Sequence, residues 1–177
     1  MTEALPESIS PESLTLSLRR AGVLCGGRVS SIDAEVSHTT IASQITRLRL
    51  AYEGDSEGAP AALILKIVLP ERIAKDWSGG RREVEFYRDV APATPPGVLP
   101  RCFDVEWNHE TQHWRLLLED LGESHTIVTI WPLPPTLPDC ERIVRAWARF
   151  HAYWLDNPRL WGGRSDPGRA PRPSMRV

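Results

Sequence analysis

Lysine is almost missing from this chain: of the 21 basic residues only Lys66 and Lys75 are lysines, and the rest are arginine. Cysteine is equally sparse. Cys25, Cys102 and Cys140 are far apart and odd in number, which suits neither a disulfide framework nor a zinc site and fits a reduced, cytoplasmic setting. No block of basic residues is dense enough for a nucleic-acid footprint. The longest apolar run, residues 59–68, is broken by Lys66 and falls far short of a membrane span. The opening MTEALPESIS holds early acids and no apolar stretch of the signal-peptide kind. Nucleic acid and membrane therefore drop out of the expected partners. What is there, 41% hydrophobic and 25% charged residues with a net charge of -2, is the profile of a soluble globular protein. Its 177 residues suffice for one ordinary domain.

The local signals alternate between helix and strand. Ser10-Pro11-Glu12 reads as a helix start, with Ser as N-cap, Pro at the first helical position and an acid in the first turn. Leu14, Leu18 and Ala21 then recur at helical spacing until Gly22 ends the helix. Residues 28–36 and 44–52 alternate and predict two strands around a polar loop over 37–43. Residues 61–69 predict a third strand, apolar on both faces except for Lys66. A short helix over 72–77 ended by Gly79-Gly80 follows, then a better one over 81–91 stopped by Pro92. Residues 102–107 and 113–119 read as a hairpin. After a proline-rich stretch, Asp139 is expected to cap a final helix with Ile143, Trp147, Phe150 and Trp154 on one face. Helix, three strands, helix, two strands and helix, joined by short links, predict a mostly antiparallel α+β sheet.

Two charged residues stand where apolar ones belong. Lys66 lies inside Leu63-Ile64-Leu65-Lys66-Ile67-Val68-Leu69, and an ammonium in a buried strand needs an anion or an exit to water. Winding residues 81–91 at about 100° each puts Glu83 at the centre of the apolar stripe, with Glu85 on the opposite face. Pairing Lys66 with Glu83 satisfies both and leaves an ammonium oriented to hold a phosphate. A purely structural ion pair, or a lysine whose head snorkels to the edge, are the other readings. Downstream, the apolar run Leu116-Leu117-Leu118 ends in Glu119-Asp120-Leu121-Gly122, which on its own is an ordinary strand end.

The strand lysine, the helix Arg82-Glu83-Val84-Glu85-Phe86-Tyr87-Arg88, the string LLLEDL and the helix ARFHAYW, in that order, resemble the aminoglycoside phosphotransferase-like family. The resemblance is closest to its ecdysteroid-kinase-like and choline-kinase-like branch and covers about residues 29–154. It implies a protein-kinase-like N-lobe, with a five-stranded mostly antiparallel sheet and a C-type helix, then a hinge and the first helix of a truncated helical C-lobe. It places the N-lobe in residues 1–119, the hinge and connector in 120–138 and the start of the C-lobe in 139–160; residues 161–177, rich in Gly, Pro and Arg with little to bury, are expected to form a disordered tail. It further implies ATP as cofactor, with Lys66 on the α- and β-phosphates and Glu83 as its helix partner. Glu119 and Leu121 would offer backbone groups to adenine, and the loop holding Thr39, Thr40 and Ser43 would lie over the phosphates.

The resemblance also implies something this sequence lacks. The family's His-Gly-Asp catalytic loop and its metal-binding Asp belong after the final helix, and no His-Gly-Asp string occurs. Asp166 lies too close to that helix to replace them. His109 and His113 do not share a helix and so make no metal pair. The expectation is a nucleotide-binding portion of an ATP-dependent phosphotransferase acting on a hydroxyl of a small molecule, with no catalytic or metal-binding residue in this chain. The complete enzyme would use Mg²⁺. The competing expectation is a non-catalytic binding or interaction module, or an inactive gene fragment. In either case the uncovered face of the final helix invites self-association.

Overall fold

The computed structural model describes residues 5–6, 8–73, 79–125, 135–155 and 157–158. The chain divides into two units, Met1–Pro134 and Pro135–Val177. The expected tail over 161–177, most of the expected short helix over 72–77 and much of the connector over 120–138 lie outside the described residues.

Helix α1 (Pro11–Arg20) starts where its cap residues require. The Ser10 hydroxyl accepts the Ser13 N–H and the Ser13 hydroxyl accepts the Ser10 N–H, so two N-terminal amides that no helix carbonyl can reach are satisfied. Past the C-cap Ala21, Gly22 has φ +71°, a conformation that glycine adopts at little cost. The remaining elements of this unit are β1 (Arg28–Thr39), β2 (Ser43–Glu53), β3 (Ala62–Val68), the single turn α2 (Pro70–Ile73), α3 (Gly79–Glu85), β4 (Cys102–Trp107) and β5 (Trp114–Glu119). The five strands form one sheet in the order β1-β2-β3-β5-β4, with every neighbouring pair antiparallel. The fold of this unit is α+β. Its central strand is β3, which explains why that segment is apolar on both sides.

Strand alternation splits the β3 side chains between two cores. Leu63 and Leu65 point to the α1 side, where they pack with Leu14, Leu18, Leu48 and Leu117; each such buried leucine contributes about 1.5–3 kcal/mol. Ile64 and Val68 point to the other side, where Val84, Tyr87, Trp114, Leu116 and Leu118 assemble. Lys66 shares this second face by its register. A bulge between Cys102 and Asp104 turns the Asp104 carboxylate toward α1, where Ser17 and Arg115 meet it.

Four sequence expectations need correction. Gly79 and Gly80 open α3 instead of ending the helix before it. The expected helix over 81–91 is α-helical only to Glu85 and continues as a π-type turn, Phe86–Val90, and a 3₁₀ turn, Ala91–Ala93. Pro92 has no N–H and its ring would crowd the Arg88 carbonyl, so the ladder shifts: Ala91 N–H reaches back to the Phe86 carbonyl, and the Thr94 hydroxyl donates to the Val90 carbonyl at 3.1 Å. In the second unit, α4 (Leu137–Trp154) is capped by Thr136, not by Asp139. The Thr136 hydroxyl accepts the Asp139 N–H at 3.4 Å, and Asp139 sits one turn in. The polar loop expected over 37–43 also shrinks, because β1 runs to Thr39 and β2 begins at Ser43.

Candidate functional site

The second sheet face brings Lys66 and Glu83 together. Lys66 stands opposite Ile45 of β2 and Leu116 of β5, in the middle of the sheet. Glu83 comes from α3, which crosses this face. The Lys66 Nζ lies 2.5 Å from the Glu83 Oε1, with side chains 20% and 31% exposed. Neither charge is sealed in the core, so the pair sits at the rim of the covered region, where an ammonium with three donors can hold a second anion. The Trp114 ring is also near Lys66, with its centroid 5.9 Å from Nζ.

The close approach of α3 depends on Gly80. A Cβ there would fall 2.0 Å from the Trp114 Nε1, so only a glycine lets the helix lie this near the sheet. The buried stripe of α3 and the turn after it runs through Gly80, Val84 and Tyr87. Glu83 is therefore at the edge of that stripe and not at its centre, since the shift to π-type winding after Glu85 moves Phe86 and Tyr87 relative to an unbroken helix. The Tyr87 hydroxyl is pushed up to about 12, first by burial and then by the Glu83 carboxylate beside it.

The other expected site residues flank this pair along the sheet. Ser43 pairs with Val68, two residues beyond Lys66 on the same face, and Thr39 pairs with Gln44 at the tip of the β1–β2 hairpin. That tip is closed on itself. The Thr40 Oγ1 accepts the Ser43 N–H at 3.0 Å and lies 2.8 Å from the Ser43 Oγ, while the Thr40 N–H goes to the Ser43 carbonyl. The Ala42 carbonyl takes the Leu69 N–H, and the Arg72 Nε reaches the Ile41 carbonyl at 2.5 Å. The hairpin tip is thus bound to the end of β3 and to α2, with the Thr40 and Ser43 hydroxyls occupied by each other. In the opposite direction, Glu119 pairs with Leu63, three residues from the Lys66 rung. Its N–H goes to the Arg101 carbonyl and its carboxylate accepts the Arg101 N–H at 3.0 Å. The Leu121 carbonyl accepts from the Ser124 and His125 amides, making a tight turn after the strand.

Nothing in the local sequence marks Arg47 as part of this face. It projects from β2 on the Lys66 face, opposite Ile64. Its Nε lies 2.5 Å from the Asp120 Oδ2 and another guanidinium nitrogen lies 3.3 Å from Glu123. The hydrogen bond to Asp120 raises the arginine's already high pKa. Asp120 itself looked like a solvated strand end, yet its side chain is only 7% exposed.

A separate cleft of about 460 Å³ opens at the end of the sheet, lined by Ile9, Thr46, Ile67 and Arg115 among others; Lys66 and Glu83 do not line it. Among the described residues no group of three His, Cys, Asp or Glu side chains could hold a metal ion.

No protein-family model, curated protein or solved structure matches the chain. That finding corrects the labels drawn from the motifs. Membership of the aminoglycoside phosphotransferase-like family, its ecdysteroid-kinase-like branch and the description as kinase-like have no support beyond an antiparallel α+β arrangement. A cytoplasmic placement is equally without support: among the described residues no helix is long and apolar enough to cross a membrane, and nothing more is shown.

Proposed function

We propose that the Met1–Pro134 unit binds a nucleoside triphosphate, ATP in the first instance, and that the protein serves ATP-dependent phosphoryl transfer to a hydroxyl of a small molecule. The observation that carries the reading is the Lys66–Glu83 pair at 2.5 Å, formed across a strand and a helix at a partly open face. A core ion pair would be no more stable than packed apolar residues in its place. A pair at the rim instead gives an ammonium that is oriented yet still reachable, which is what a polyphosphate needs. The spacing supports the same reading. From the Lys66 rung to the Glu119 rung is three residues, roughly 10 Å at about 3.4 Å each, on the scale of a nucleotide laid with its phosphates at one end and its base at the other.

In this reading Lys66 neutralises phosphate charge and Glu83 fixes the direction of the ammonium. The hairpin tip bounds the phosphate end without donating its spent hydroxyls. ATP bound there would supply the transferable phosphoryl group. The part assigned to these residues is binding and orientation of the nucleotide.

Titrating ATP into the full chain, with and without Mg²⁺, and following thermal unfolding tests the proposal. Binding to the folded state raises the midpoint by mass action, and about 2.7 kcal/mol of stabilisation is expected at a ligand concentration 100 times Kd. Stabilisation by ATP that is lost in Lys66→Ala supports the reading. An equal rise in both proteins, or none in either, would overturn it.

A further inference from the structure

The sheet face opposite Lys66 is covered by helix over only part of its length. Helix α1 packs over Leu48, Leu63, Leu65 and Leu117. The last rung of that face is Gln44–Ile67–Arg115–Glu106, and the register puts all four side chains on the α1 side, toward the two hairpin tips. The segment before α1, not the helix itself, comes over this rung. It is fastened there: an Arg115 guanidinium nitrogen donates to the Ser8 carbonyl at 3.0 Å, and the Ile9 N–H to the Pro6 carbonyl at 2.8 Å. The cleft of about 460 Å³ lies between Leu5, Pro6 and Ile9 of that segment and Thr46 and Ile67 of the sheet. Small-molecule sites span about 300–1,000 Å³, so the space suffices for one.

Two polar groups of the lining are incompletely used, one at each side. Thr46 is 3% exposed, and among the described residues its hydroxyl has one hydrogen-bond neighbour, the Gln44 amide, which donates to it at 3.5 Å. The Thr46 proton itself meets no acceptor, an unfavourable state that a ligand oxygen would relieve. Glu106 lies three strands away on the edge strand β4, about 14 Å at about 4.8 Å per strand. Its Oε2 is 2.8 Å from the Arg115 Nε, yet that N–H is not directed at it and makes no hydrogen bond. Asp104, by contrast, accepts from both Arg115 at 3.1 Å and Ser17 at 2.8 Å. One guanidinium thus serves two carboxylates, and the surplus negative charge falls on Glu106, whose side chain is 52% exposed. We propose that this cleft binds an elongated, mostly apolar organic monocation, with its ammonium on Glu106 and an uncharged hydrogen-bond acceptor at its other end on Thr46. The apolar body lies across Ile67, against Leu5 and Ile9. An anion of the same shape meets the Glu106 charge and is disfavoured. The inference is independent of the nucleotide reading, since Lys66 and Glu83 do not line the cleft.

Two straight-chain probes of equal length, each with a hydroxyl at one end, separate charge from shape: aminooctanol carries an ammonium at the other end and hydroxyoctanoate a carboxylate. Amide NMR titrations of the full chain would give both affinities and the location of binding for wild type, Glu106→Gln and Thr46→Val, with a thermal melt of each to confirm folding. Saturable shifts are expected at the Thr46, Ile67 and Arg115 amides. Aminooctanol should bind about fivefold tighter than hydroxyoctanoate, the scale of a half-exposed ion pair exchanged for a repulsion. In Glu106→Gln that preference should fall below about twofold, and in Thr46→Val both probes should weaken by a similar factor, about threefold. The wild-type comparison decides the charge preference whether or not a variant folds. Equal affinities, a tighter hydroxyoctanoate, or a preference that persists in Glu106→Gln would overturn the cation assignment. Unchanged binding in Thr46→Val would overturn the placement of the uncharged end, and shifts that do not saturate or that fall elsewhere would overturn the site.

Discussion

Replacing Gly80 by alanine adds one methyl group at the tightest contact on the Lys66 face. The new Cβ would lie 2.0 Å from the Trp114 Nε1, 2.6 Å from Cε2 and 2.7 Å from Cδ1. Ordinary contacts begin near 3.4 Å, so the indole or the helix must move by more than about 1 Å. The indole has no easy retreat, since it is 5% exposed and packed with Val84 and Leu116. Alanine would ordinarily stabilise a helix by about 1 kcal/mol relative to glycine. Overpacking costs about 1–3 kcal/mol and occasionally more, so the clash outweighs the propensity gain. At the upper end of that range the net loss is about 2 kcal/mol, a midpoint lower by roughly 4–8 °C. The displacement also reaches the site, because the same ring lies 5.9 Å from the Lys66 Nζ. Calorimetric melting with near-ultraviolet circular dichroism would show a lower midpoint and a changed tryptophan signal. A higher midpoint with an unchanged signal would refute the packing argument.

Three further outcomes follow from the same coordinates. The hydroxyls of Tyr52 and Tyr87 are both pushed up to about 12 by burial, so the folded state holds these protons more tightly than the unfolded chain, whose tyrosines titrate near 10. Their contribution is intact below pH about 10 and fades as pH rises toward 12; denaturant titrations across that window should show Tyr87→Phe losing less stability than wild type. The Cys102 thiol is raised to about 11 by burial while Cys25 is exposed, so alkylation at neutral pH should label Cys25 rapidly and Cys102 only after unfolding, as mass mapping would show. On α4, Trp147 is 68% exposed and Val144 65%, and we propose that this face mediates self-association. Light scattering should then show a concentration-dependent mass increase that Trp147→Glu reduces, and a constant monomer mass in wild type would contradict it.

What could be read from the sequence was mostly local chemistry. Ser10 and Pro11 start a helix within their own turn, and the hairpin loop over 108–113 is set by Asn108, whose side chain accepts two amides of that loop. Lys66 was also legible, because it is the one charge on a strand that is otherwise apolar, and Glu83 because helical spacing puts it next to the apolar stripe that faces that strand. The Arg47–Asp120 pair was not. Its members are 73 residues apart and each sits in a segment where a charged residue looks solvated. The bulge that turns Asp104 toward α1 leaves no periodic trace, since one extra residue in a six-residue strand is within the noise of alternation. The proline-driven change of winding after Glu85 was legible only in part. Pro92 announces that the α-helix must end, but the retreat of the break to Glu85 depends on how Val84 and Tyr87 fill the space beside β4 and β5.

Because the chain carries only two lysines, the central claim can be put to one site-resolved measurement: lysine acylation mapped by mass spectrometry, with and without saturating ATP. Nucleotide phosphates on the Lys66 ammonium should slow its modification several-fold. Equal rates at Lys66 in the presence and absence of ATP would contradict a phosphate-binding lysine.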